Sequence, residues 1–136
     1  MTHEDVLLVV PARPEMWAVA RMTASVLAVS LDFSFGDIED FRLAVTEVCS
    51  SCAVDAGASA LCECRFTISS DAIEMHCKVS PVVATAQLSS APRLRAQLEL
   101  SEHILQAMVD DHEIGPVKAG VRSGFLRKDR APASIS

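Results

Sequence analysis

The chain has 136 residues, half of them apolar, which is enough for one domain with a hydrophobic core and too few for two. Its 12 basic and 18 acidic side chains give a net charge of −6, which argues against nucleic-acid binding because such proteins concentrate Lys and Arg on one face. No apolar run approaches the roughly 18 residues that span a bilayer, and the acidic start is unlike a secretory signal. We therefore expect a cytoplasmic protein that contacts neither a membrane nor nucleic acid.

The first part of the chain predicts one strand followed by two helices. Residues 6–10 form a short β-branched run that is typical of a buried strand. Pro14 suits the first turn of a helix that extends to about Leu31. A second helix is expected from about Asp37, with Gly57 as its C-terminal cap. The apolar stripe of the first helix, which we expect to face the core, contains Met16, Val19, Ala20, Met22, Val26, Leu27 and Val29.

The hydrophobic period then changes from 3.6 to 2. Residues 61–68 and 73–79 each alternate apolar with polar side chains, which indicates a hairpin with one buried face. A loop is expected over residues 80–93 and a third helix over residues 98–110. Residues 117–126 resemble a last strand or hairpin.

This order of elements, β-α-α-β-β-α-β, predicts the architecture. It is typical of an α+β two-layer sandwich in which helices cover one face of a mixed, mostly antiparallel sheet. We expect a single domain over residues 1–128 and a flexible tail over residues 129–136.

Five cysteines are an odd number, and their spacing permits two interpretations. Cys49 and Cys52, like Cys62 and Cys64, are spaced as zinc ligands or a redox pair could be. However, Cys52, Cys62, Cys64 and Cys77 all occupy the apolar phase of their elements, where Cys behaves as a small buried hydrophobic residue. We expect reduced core thiols, no metal site and no cofactor, and keep a thiol-based redox sensor as an alternative.

Glu47 stands out because it lies in the middle of a mostly apolar helix segment, residues 43–51. A carboxylate in such a setting is either a functional acid or base, or a side chain at the edge of the stripe that faces solvent. The five glycines form no phosphate-binding loop, and the four histidines have no recognisable catalytic partner in the sequence.

The helix around Glu47 carries a family resemblance. Residues 41–51, which read FRLAVTEVCSS, resemble the N-box helix of serine-kinase anti-sigma factors of the RsbW/SpoIIAB type, which belong to the histidine-kinase-like ATPases. Residues 8–12 and 19–22 are similar to the first strand and first helix of that family, and residues 104–111 to its last helix. The resemblance covers residues 6–128 and implies a Bergerat-type ATPase fold.

The positions that bind nucleotide in this family differ here. Ser51 stands where the family has the Asn that holds magnesium, and Val79, which accepts no hydrogen bond, stands where an Asp binds adenine. Pro and Val replace glycines that let the backbone approach closely, and an acidic Glu99 lies where phosphate would meet a helix N-terminus. The resemblance thus implies vestigial ATP-binding positions at Ser51, Val79, Pro81, Val83, Glu99 and Ser101.

The resemblance implies an anti-sigma factor that sequesters an alternative sigma factor by direct binding and is released by a STAS-domain anti-anti-sigma protein. It also implies a homodimer. The altered nucleotide positions resemble those of the actinobacterial UsfX-like branch, so we expect little or no ATP binding, a vestigial Glu47 and no enzymatic activity. The alternative is an active serine kinase that phosphorylates its STAS antagonist.

The first helix is the expected partner surface. Arg21 matches an arginine with which the family contacts the sigma factor and its antagonist, and Trp17 lies one turn earlier. Arg and Trp often dominate the binding energy of interfaces. The alternative is that Trp17 belongs to the core and Arg21 pairs with Glu15 or Asp37.

Overall fold

Five antiparallel strands and three α-helices make up the fold in the computed structural model, which describes residues 4–83 and 91–131. The elements are β1 (Glu4–Pro11), a short 3-10 helix (Pro14–Met16), α1 (Trp17–Ser30), α2 (Phe35–Cys52), β2 (Ala56–Ile68), β3 (Ala72–Val82), α3 (Ala91–Met108), β4 (Asp111–Lys118) and β5 (Val121–Asp129). The strands lie in the order β1-β2-β3-β5-β4, and each neighbouring pair is antiparallel.

This architecture confirms the predicted two-layer α+β sandwich. One face of β2 is buried through Cys62, Cys64 and Phe66, whereas Leu61 and Arg65 on the other face are exposed, as the period of 2 predicts. The described part of the sheet contains no parallel pair, so the expected mixture of strand directions is absent from these residues. The last predicted strand is a full hairpin, β4–β5.

The first helix turns a different face to the core from the one its hydrophobicity predicts. The buried positions are Trp17, Ala20, Ala24 and Ala28. Because the side chains of the three alanines on this face are short, α1 can pack closely against α2. Four larger apolar side chains face outward and form what we call the outer stripe, which consists of Val19, Met22, Val26 and Val29.

The second helix begins and ends earlier than its sequence predicts. The Ser34 hydroxyl accepts a hydrogen bond from the backbone N–H of Asp37 at 3.1 Å, so Ser34 is the N-cap. The chain leaves the helix after Cys52, and the left-handed residue beyond it is Asp55, with a φ of 63°. The predicted cap Gly57 is wrong, because this residue already belongs to β2.

Strand β5 passes very close to α2 at Gly124. A Cβ atom built on Gly124 would lie 2.7 Å from Cγ1 of Val48 and 2.8 Å from Sγ of Cys52. These distances are shorter than van der Waals contacts, so this crossing of helix and strand requires glycine.

The remaining expectations concern the third helix, the loop before it and the C-terminal tail, and the described residues test only part of them. The third helix begins at Ala91 rather than at 98, and Asp129, the first residue of the predicted tail, ends β5. Residues 84–90 of the predicted loop and 132–136 of the predicted tail lie outside the described residues, and the domain limits stay a prediction. Within the described ranges, no helix combines the length and apolar character needed to cross a membrane.

Candidate functional site

Four polar side chains join α2 to α3, and we call them the Glu47 network: Glu47, Ser51, Gln97 and Ser101. The Ser101 hydroxyl donates to Oε1 of Glu47 at 2.5 Å, and the oxygens of Ser51 and Ser101 lie 2.6 Å apart. Nε2 of Gln97 lies 3.3 Å from both Glu47 Oε1 and Ser101 Oγ and donates to them. Because the single hydroxyl proton of Ser101 is directed to Glu47, Ser51 is the donor to Ser101.

The sequence places these groups by two identical spacings. Glu47 and Ser51 lie four residues apart on α2, and Gln97 and Ser101 lie four residues apart on α3, so each pair shares one helix face. Ser51 and Ser101 are fully buried and Glu47 is partly buried. Glu47 keeps some exposure to solvent, as expected for the edge of the stripe, but its carboxylate also accepts two hydrogen bonds from a neighbouring helix.

The central interaction of this site is a hydrogen bond from the hydroxyl of Ser101 to the carboxylate of Glu47. A general base typically lies about 2.6–3.2 Å from the group that it deprotonates, and the Glu47–Ser101 contact of 2.5 Å is slightly shorter than that range. In this conformation the hydroxyl belongs to the protein itself. The carboxylate is thus positioned to accept a proton from a hydroxyl.

The structure brings together only some of the predicted nucleotide positions. Ser51 and Ser101 meet in the Glu47 network. Val79 is fully buried on β3, whereas Pro81, Val83 and Glu99 are exposed. The last four residues thus do not join Glu47 in one polar site.

Arg122 is a buried cation that the sequence analysis missed. It is 3% exposed and lies directly opposite Val79 in the pairing of β3 with β5. Its Nη1 donates to the carbonyl oxygen of Val54 at 2.7 Å, just beyond the end of α2, where a positive charge is favourable. The available signal was its strand phase, because Arg122 shares the inward face of β5 with Gly124 and Leu126.

The two predicted partner-binding residues have different environments. Trp17 is 4% exposed and belongs to the core, whereas the sequence analysis expected it to contact a partner. Arg21 is partly exposed on the side of α1 that faces α2, and its Nη1 lies 3.5 Å from Oγ1 of Thr46. The acidic residues considered as its alternative partners, Glu15 and Asp37, pair instead with other basic side chains.

The five cysteines are all buried and reduced, which confirms their predicted place in the core. Four of them, Cys49, Cys62, Cys64 and Cys77, form what we call the cysteine cluster, in which the sulfur atoms lie within 4.8 Å of one another. Hydrogen bonds from the other thiols, chiefly from Cys49, lower the pKa of Cys62. The same contact with Cys62 is the main cause that raises the pKa of Cys49.

The two-layer sandwich and the helix that carries Glu47 fit the class of protein that the sequence resembles, a serine-kinase type with a histidine-kinase-like ATPase fold. The chain is similar to the serine-protein kinase RsbW of Bacillus licheniformis, with 34% identity over 68 residues, which cover 48% of this chain and 42% of that protein. The RsbW of Halalkalibacterium halodurans is 40% identical over 48 residues, 35% and 30% of the two chains. The RsbW of Bacillus velezensis is 38% identical over 42 residues, 31% and 26% of the two chains. No protein-family model matches the chain.

These similarities support the RsbW/SpoIIAB family at modest identity, and the chain spans less than half the length of the curated relatives it matches. The assignment to a UsfX-like branch stays a prediction. The expectation that the chain is not an enzyme is wrong, because the relatives are named serine-protein kinases and point to a kinase.

Proposed function

We propose that this chain is an anti-sigma factor of the partner-switching type, which binds an alternative sigma factor in the cytoplasm and is released by a STAS-domain antagonist. The similarity to RsbW kinases and the two-layer fold support this class. The observation that carries the proposal is the outer stripe of α1 with Arg21 beside it, since this surface has the composition of a protein-binding site.

The outer stripe is unusual for a surface helix. Its members follow one another at intervals of three, four and three residues and are exposed by 38–70%. Contiguous apolar patches on a soluble protein commonly mark an interaction site, and an apolar helix face with this spacing suits a groove in a partner. We infer that the stripe supplies apolar contact with the sigma factor.

Arg21 supplies the directional part of this surface. Among the described residues the only hydrogen bond of its guanidinium is the long contact with Thr46, and a guanidinium has five N–H donors. The remaining donors favour a carboxylate on the partner, because Arg binds carboxylates through two parallel hydrogen bonds. The sigma factor thus requires an apolar groove with an acidic residue at its edge.

We expect Arg21→Ala to weaken binding of the sigma factor by about 2 kcal/mol, or roughly thirtyfold, because a directed charged contact is lost and Arg is a residue type that often dominates binding energy. The sigma factor is identified by pull-down from the native host with mass spectrometry, and its affinity is then measured by isothermal titration. Arg130→Ala is the matched control, since Arg130 is exposed just beyond the end of β5 and belongs to neither the outer stripe nor β1 and β2. Equal affinity of both variants, with normal folding, would show that the sigma factor binds elsewhere.

The proposed homodimer has a candidate surface of its own. Leu7 and Val9 on β1 and Leu61 on β2 are each 51% exposed and lie on the face of the sheet that the helices do not cover. This apolar group is remote from the outer stripe in the fold, because α1 packs on the other face of the sheet. It supports a dimer that leaves the sigma-binding helix accessible.

A second candidate function is phosphorylation of the STAS antagonist by the same chain. It is favoured by the names of the relatives and by the short hydrogen bond between Glu47 and a hydroxyl. We infer that a serine of the antagonist takes the place of Ser101 and gives its proton to Glu47. We further expect weak affinity for Mg-ATP, because Val79 offers adenine no hydrogen-bond acceptor.

We expect labelled phosphate to pass from Mg-ATP to the antagonist at high ATP concentration, and Glu47→Gln to slow this transfer by about 10²–10⁴-fold through loss of the base. Gln keeps the shape of the side chain and its hydrogen bonds with α3, so the fold should persist. Glu113→Gln, on the exposed side of β4 at the other edge of the sheet, is the control and should transfer at the normal rate. Transfer that is insensitive to Glu47→Gln would contradict this role.

A further inference from the structure

Four sulfur atoms from three elements meet between α2 and the sheet. The Sγ atoms are 3.6 Å apart for Cys62 and Cys77, 3.7 Å for Cys49 and Cys64 and for Cys62 and Cys64, and 4.0 Å for Cys49 and Cys62. A tetrahedron of sulfurs around a zinc ion with bonds of about 2.3 Å has edges of about 3.8 Å. These four separations lie on both sides of that value, and all pairs in the cluster lie within 4.8 Å.

The topology explains why these atoms converge. Cys62 and Cys64 are two residues apart on β2, so both point to the same face. Cys77 is the direct partner of Cys64 in the pairing of β2 with β3, and Cys49 lies on the buried side of α2. Each ligand therefore comes from a rigid element, and the helix supplies the fourth sulfur above three from the sheet.

From this geometry we propose that the cysteine cluster binds one zinc ion in a closed, tetrahedral, structural site. Zinc prefers four sulfur or nitrogen ligands in such sites, and thiolates favour it over magnesium or calcium. Binding forms four Zn–S bonds and releases four thiol protons to solvent, without any oxidation or reduction. Affinity should consequently rise with pH.

Two other states of the cluster are chemically reasonable. A disulfide has an S–S distance of about 2.05 Å, much shorter than the 3.6–4.0 Å found here. Four reduced thiols without metal would form a purely hydrophobic contact. The sequence analysis favoured the latter state because the cysteines occupy the apolar phase of their elements, and zinc sites more often take their ligands from loops. Convergence of α2, β2 and β3 supplies the geometry that a loop would otherwise provide.

The proposed site would fix the helix that carries Glu47. Cys49 lies two residues from Glu47 and two from Ser51 on α2, so a metal bound to its sulfur would tie this part of α2 to β2 and β3. The proposal is independent of sigma-factor binding, because the cluster is fully buried and makes no part of the outer stripe.

The test begins with the full chain produced in zinc-supplemented medium and purified under reducing conditions. Elemental analysis should give one zinc per chain, and X-ray absorption should give four sulfur neighbours at about 2.3 Å. Cys64→Ala should lose the metal, whereas Cys52→Ala should retain it, since Cys52 is equally buried but outside the cluster.

Cobalt provides a measurement that needs no variant, should Cys64→Ala fail to fold. Replacing zinc by Co²⁺ in the wild-type chain should produce thiolate-to-cobalt charge-transfer bands and the visible spectrum of a tetrahedral ion, saturating at one equivalent. The proposal is overturned if the wild-type chain contains no stoichiometric zinc and gives no such bands. It is equally overturned if mass spectrometry finds the cluster joined by disulfides, or if Cys52→Ala loses the metal as Cys64→Ala does.

Discussion

Replacing Phe66 by Ala is expected to lower the free energy of unfolding by about 3–5 kcal/mol, the range found for aromatic residues removed from a core. Phe66 is fully buried on β2, and its ring makes an edge-to-face contact with Phe41 of α2, with centroids 6.4 Å apart and planes at 68°. The substitution therefore leaves a cavity where the helix layer meets the sheet. Urea denaturation followed by circular dichroism measures the loss.

Phe35→Ala is the matched control for this prediction. The same side chain is removed, but Phe35 is 79% exposed at the first turn of α2, so we expect a change within about 0.5 kcal/mol. Similar losses in the two variants would mean that the sheet and α2 do not pack through Phe66 as described.

Gly124→Val should cost about 3 kcal/mol through overpacking. The new Cβ would lie within 3 Å of both Val48 and Cys52, and the two further methyl groups have no space between β5 and α2. Val48 and Cys52 are fully buried and cannot turn away into solvent. The midpoint of urea unfolding should fall accordingly, with native-like far-ultraviolet circular dichroism below the transition.

Ser123→Val provides the comparison on the same strand. Ser123 is exposed on the outer face of β5, so the same side chain should change stability by no more than about 0.5 kcal/mol there. If Gly124→Val were as stable as Ser123→Val, the close approach of β5 to α2 would be incorrect.

The alternating strands were predictable because a period of 2 depends only on which side chains are apolar. Cys62, Cys64 and Phe66 follow that rule and are buried. The start of α2 was less accessible to prediction. Its first turn depends on Ser34 capping the helix, whereas the sequence analysis placed the start of the helix at about Asp37.

The core face of α1 could not be found from hydrophobicity. The helix buries three alanines and Trp17, whereas Met22 and Val26 are 70% and 67% exposed. Which face a helix buries depends on how closely its neighbour approaches, and α2 favours small side chains at that contact. The sequence alone contains no measure of that distance.

The candidate site could likewise be predicted only in part from the sequence. Glu47 was identified from its neighbours on one helix, but its partners Gln97 and Ser101 lie at least 50 residues away in the chain. The cysteine cluster likewise depends on a strand register, that of Cys64 with Cys77. Pairings between distant segments follow from the assembled fold and leave no local pattern.

The polar nature of the contact between α2 and α3 has a consequence for the motions of the protein. Among the described side chains of α3, Leu105 is the only fully buried apolar one, and the Glu47 network supplies much of the remaining attachment. An element held by few apolar contacts detaches at a lower free energy than the rest of the domain. Release of α3 would free the carboxylate of Glu47 from Gln97 and Ser101, so a molecule that replaces these partners can bind only after the helix opens. The rate of that opening, rather than diffusion into a permanent cleft, would then limit the rate of any reaction at Glu47.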